Sequence, residues 1–120
     1  MKKGDILRGS KRGRDAALHF IVFLDGNDEE SFVGAVLTHS NRYKDNVLMS
    51  EDHFEKSDAE RKSFEFQFDD TYLVRGRFIK LQDWGPFKKI GKLTERGIKF
   101  VESQTNKMEL ILWDEYIRNL

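Results

Sequence analysis

The sequence predicts a mainly β chain of α+β type, a small barrel of about five or six short strands followed by a C-terminal helix. Three observations carry this. Leu18–Leu24 (LHFIVFL) and Phe32–Leu37 are apolar runs of strand length, rich in β-branched and aromatic residues that fit a pleated surface. Asp25–Ser31 between them has turn composition, with Gly26 and Asn27 among four acids. Ser63–Asp69 (SFEFQFD) alternates with period two, setting Phe64, Phe66 and Phe68 on one face.

Taken in order, Gly4-Asp5-Ile6-Leu7 opens a first strand with Ile6 inward. Gly9–Ala17 is a basic loop holding Lys11, Arg12 and Arg14, either a solvated linker or a cradle for an anion, since arginine offers phosphate a planar fork. Leu18–Leu24 and Phe32–Leu37 form the central antiparallel hairpin, and their continuous apolarity predicts burial on both faces. Asn41–Asp45 is a loop and Asn46–Ser50 a short strand. Glu51–Lys62 is polar and acidic, a surface loop or a short helix. Ser63–Asp69 reads as a half-buried strand, and Thr71–Leu81 as another with a bulge or bend at Gly76. Trp84-Gly85-Pro86 is a turn. Thr94 is placed to cap a helix. Ile98, Val101, Thr105, Met108, Ile111 or Leu112, and Tyr116 lie near helical spacing, as one long helix or two broken near Gln104–Asn106.

Composition narrows the function classes. The chain has 120 residues, 38% hydrophobic and 35% charged, enough for one domain with one core, here residues 1–120. No apolar run approaches the roughly 18 residues of a membrane span. No apolar signal-peptide core follows the basic N-terminus. Cysteine is absent, which excludes disulfides and thiolate metal sites and fits a cytoplasmic protein. Net charge is zero, but cations crowd two stretches, Lys2–Arg14 and Lys88–Lys92. They make either an ordinary solvated surface or, folded onto one side, a positive patch.

The residues able to do chemistry gather at the hairpin. His19 starts its first strand, and Thr38, His39 and Ser40 end the second. An antiparallel hairpin brings the start of one strand beside the end of the next, so both groups belong to one edge of the sheet. A lone histidine in an apolar strand is otherwise a satisfied core residue, and a strand-end threonine ordinary strand chemistry. The histidines lack metal-ligand spacing, so no metal site is read, and no Walker or Rossmann glycine loop is present.

Several segments resemble the MazF/PemK-like toxins of bacterial toxin–antitoxin systems. Lys3-Gly4-Asp5-Ile6 is similar to the family's opening, and His19-Phe20-Ile21-Val22 stands where the family has a basic residue and a β-branched run. Gly34-Ala35-Val36-Leu37-Thr38 looks like its apolar strand ending in threonine. Lys89-Ile90-Gly91-Lys92-Leu93-Thr94 is similar to the basic segment that opens its C-terminal helix. The resemblance implies an SH3-like β-barrel of about five to seven strands with a C-terminal helix. It also implies a cofactor-free, metal-independent endoribonuclease that cleaves single-stranded RNA and arrests growth. Such proteins form homodimers and are held inactive by a cognate antitoxin. On this reading His19 is the acid or base and Thr38 the catalytic threonine. Arg12, Arg14, His39, Ser40, Lys88 and Lys89 bind phosphate or RNA. The chain departs from the family where an arginine–proline pair precedes the second strand and where an aspartate–glutamine pair would fall near Arg75–Arg77. Those departures define the alternative, a non-catalytic barrel module that binds nucleic acid or a protein.

Overall fold

The computed structural model describes residues 2–9, 19–27, 31–40, 45–81, 85–112 and 115. The strands are β1 (Asp5–Gly9), β2 (His19–Asn27), β3 (Ser31–Thr38), β4 (Val47–Leu48), β5 (Tyr72–Leu81), β6 (Lys88–Lys92) and β7 (Leu110–Leu112); α1 spans Glu95–Thr105. They form one sheet in the order β4-β5-β3-β2-β1-β6, and β7 pairs with β5. All ladders are antiparallel except β5–β7. No ladder among the described residues joins β6 to β4 or β7, so the sheet does not close among them.

The two apolar runs do form the central hairpin. Phe20 pairs with Leu37, Ile21 with Val36 and Val22 with Ala35. Because side chains alternate across a strand, the hairpin feeds two clusters on opposite faces. One holds Ile6, Val22, Leu24, Ala35 and Leu37, with Val101 of α1 laid over it. The other holds Leu7, Ile21, Phe23, Phe32, Val36 and Phe78. The expected bulge is present. The β3–β5 register shifts between Gly34 and Val36, and Arg75-Gly76-Arg77 lie in the longer β5 stretch facing that gap.

Helix α1 begins where the sequence places it. Thr94 adopts extended backbone, and its side-chain oxygen accepts from Gly97 N–H at 3.1 Å. Gly97, Val101 and Thr105 form the buried stripe. A β-carbon on Gly97 would lie 2.1 Å from the His53 carbonyl oxygen, so only glycine lets the helix approach this closely. Of the stretch Glu51–Lys62, Glu51–His53 is a short 3-10 turn and the rest is loop.

Two expectations are corrected. Ser63–Asp69 is irregular and is not a strand of the sheet. Within it Phe66 N–H donates to Ile90 O at 2.9 Å, and in the preceding stretch Glu55 N–H donates to Lys92 O at 2.9 Å and Phe54 bridges Leu93, so residues 54–66 flank β6. Phe66 is buried and Phe68 half-buried in the α1-side core, and half-buried Phe64 lies under Lys89. Period-two burial records which side chains point inward, and an irregular segment satisfies it as well as a ladder. The helical spacing read through Ile111 and Leu112 also fails, because α1 ends at Thr105 and Leu110–Leu112 joins the edge of β5. Short apolar runs carry no period of their own, and here an open strand edge decided. No helix among the described residues is long and apolar enough to cross a membrane.

Candidate functional site

His19 and Thr38 lie at the same end of the β2–β3 pair. The β2–β3 register is unbroken from Phe20↔Leu37 to Phe23↔Gly34. Continued by one residue, it sets His19 opposite Thr38. Alternation puts His19 on the face of Ile21, and Thr38 on the same face through Val36. Gly9 of β1 pairs with His19 on its other side and adds no side chain there. His19 is half-buried, and the loss of water around its imidazolium holds its pKa below the ordinary value. Burial thus favours the uncharged imidazole over the imidazolium. Thr38 Oγ1 accepts from Ser40 N–H at 3.1 Å and keeps its own proton to donate.

His39, one residue on, turns to the opposite face. Its Nε2 lies 2.6 Å from Gln67 O, which fixes Nε2 as the protonated nitrogen. Its ring stacks on Phe66 at 5.5 Å and meets the edge of Phe20 at 5.6 Å. Beside Phe20, Arg8 and Lys88 pair across β1 and β6 and share one partner, with Glu65 at 3.7 Å from Arg8 and 2.6 Å from Lys88. The Lys88 hydrogen bond holds the Glu65 carboxyl below its usual range. Lys89 pairs instead with the buried carboxylate of Asp5 at 3.2 Å. The edge thus carries His19 and Thr38 on one face and His39, Phe20 and the Arg8–Glu65–Lys88 group on the other. Arg12 and Arg14 lie outside the described residues. Arg8, Phe20, Glu65 and Phe66 were not singled out from sequence as site residues. Strand pairing gathers them from distant positions, and only the basic character of Arg8 and Lys88 gave a signal.

A second polar cluster, also unread from sequence, is Ser50, Asp52, His53 and Arg96. It contains a serine, a histidine and an aspartate, but not in relay order. The Asp52 carboxylate accepts from Ser50 Oγ and Arg96, while His53 Nδ1 accepts the Ser50 N–H at 3.1 Å. His53 is buried and stacked on Phe100 at 4.4 Å, and burial lowers its pKa. The cluster fastens the 3-10 turn to the start of α1 and offers substrate no nucleophile. No group of three or more histidine, aspartate or glutamate side chains able to hold a metal occurs among the described residues.

A cavity of about 340 Å³ opens elsewhere, between the C-terminal end of α1 and the far ends of β2, β3 and β5. Its Asp25 lies six residues from His19 along β2, about 20 Å at strand rise. The cavity and the His19 edge are separate places. The chain matches no protein-family model, no curated protein and no solved structure.

Proposed function

We propose that the chain is a metal-independent endoribonuclease for single-stranded RNA, the toxin of a MazF/PemK-like toxin–antitoxin pair, built on an SH3-like barrel. The observation that carries this reading is the placement of a half-buried His19, its pKa lowered by burial, at the same end of the β2–β3 pair as Thr38. His19 takes the proton of a ribose 2′-hydroxyl, and that oxygen attacks the adjacent phosphorus. The bond to the 5′-oxygen breaks, and the imidazolium returns its proton to the leaving oxygen. The products are a 2′,3′-cyclic phosphate and a 5′-hydroxyl. Thr38 donates to a non-bridging oxygen as charge accumulates there. Arg12, Arg14, Lys88 and Lys89 supply cations along the RNA backbone. On the same reading the protein works in the cytoplasm as a homodimer, and the acidic, apolar tail of its antitoxin covers this edge.

Induced expression followed by end-mapping of cellular RNA tests the reading. Growth arrest with new 5′-hydroxyl ends is expected. In purified protein, cleavage persists in a chelator and His19→Ala lowers the rate about 10²-fold or more, the usual scale of acid–base catalysis. Thr38→Ala lowers the rate with the fold unchanged. Equal cleavage by His19→Ala removes this histidine from the chemistry.

One observation favours the alternative, a barrel module that binds without cleaving. Glu65 already pairs with both Arg8 and Lys88, which cuts the charge of that group from two positive to one. Retained RNA binding with no new RNA ends identifies this case.

A further inference from the structure

We propose that the cavity at the C-terminal end of α1 binds a small zwitterion, an α-amino acid with an apolar side chain. The inference is independent of the ribonuclease reading. A volume of about 340 Å³ lies within the range of small-molecule sites. Two of its lining residues carry opposite charges and are not joined to each other. Arg77, half-buried in the bulged stretch of β5, and Asp25, exposed near the end of β2, have no ion pair or side-chain hydrogen bond among the described residues. Lys3, on the same cavity, pairs with Glu102 at 3.2 Å, and Arg8, Lys56, Lys88, Lys89 and Arg96 each have a carboxylate partner.

A ligand bearing both charges completes both residues at once. Its carboxylate meets the planar Arg77 fork, and its ammonium meets Asp25. A ligand with one charge leaves the other residue as it stands. The side-chain amide of Asn106, just past α1, also lines the cavity and makes no hydrogen bond among the described residues, so it can donate to the carboxylate. Leu24 is buried and Val33 half-buried, and they provide an apolar wall for the ligand's side chain. The α-amino acid is the small class that carries both charged groups and one apolar side chain on a single carbon.

Titration of the full chain with phenylalanine, followed by two-dimensional NMR, tests the proposal. Phenylpropionate and phenethylamine serve as probes lacking the ammonium or the carboxylate. Saturable shifts are expected at Leu24, Val33 and Arg77 with phenylalanine, with each single-charge probe at least about tenfold weaker. Arg77→Gln and Asp25→Asn are each expected to weaken phenylalanine by a similar factor. Phenylpropionate binding as tightly as phenylalanine overturns the zwitterion assignment. No saturable shift with phenylalanine at millimolar concentration overturns the site. The probe series on the unaltered protein decides the matter even if a variant folds poorly.

Discussion

At the scale of single residues, the chemistry turns on which neighbours desolvate a histidine. His19 and His53 both have pKa values below the ordinary one, in each case chiefly because burial penalises the imidazolium. The unfolded chain therefore binds protons at these positions more readily than the folded chain. Stability from the two groups is fully present above about pH 6.5 and is lost as pH falls through their lower folded values. Urea midpoints measured across this range are expected to fall on acidification, and His19→Gln is expected to flatten part of the slope. An unchanged slope in that variant would mean that His19 is no less basic folded than unfolded. If His19 is the general base, the acid limb of the cleavage rate also lies below pH 6.5, because the neutral form persists further into acid.

At the scale of elements, the start of α1 is the joint that holds helix to sheet. Thr94 caps it, its hydroxyl donates to Asp52 O at 2.7 Å, and its N–H donates to His53 O at 2.9 Å. Gly97 permits the contact. By propensity alone, alanine would stabilise this helical position by up to about 1 kcal/mol. The close approach to the His53 carbonyl reverses the sign. Gly97→Ala is expected to destabilise by roughly 3 kcal/mol, since new volume in a packed joint forces backbone to move. Thr94→Ala is expected to cost about 1 kcal/mol, the usual loss of an N-cap. Denaturant midpoints check both, and a Gly97→Ala protein as stable as the parent would show that the helix can slide away from His53. The 54–68 segment works similarly. It uses Phe54, Phe66 and Phe68 to seat in the core and two backbone hydrogen bonds to flank β6.

At the scale of the whole molecule, zero net charge hides an uneven surface on which Arg8, Lys56, Lys88, Lys89 and Arg96 already have acidic partners. RNA binding through Arg12, Arg14, Lys88 and Lys89 is expected to weaken with salt at a slope near −3, roughly −0.7 for each phosphate contact. A slope near zero between low and physiological salt would exclude a phosphate-led interface. Glu65→Gln releases Arg8 and Lys88 and is expected to tighten RNA binding and steepen the slope by about one contact or more. Unchanged binding in that variant would move the RNA path off the Phe20–His39 face.

What the sequence by itself determined is local. The central hairpin, the bulge at Gly76 and the cap at Thr94 each follow from a few adjacent residues whose backbone preferences and turn chemistry agree. Tertiary structure decided whatever depends on a partner distant in the chain. Leu110–Leu112 became a strand because β5 had an open edge, and Ser63–Asp69 kept its buried phenylalanines without becoming one. His39 parted from His19 because consecutive strand residues face opposite ways and both faces of this sheet are covered. The Arg8–Glu65–Lys88 group and the cavity holding Arg77 and Asp25 leave no local mark. Each joins residues from separate elements, and hydrophobic pattern records burial but not the neighbour that provides it.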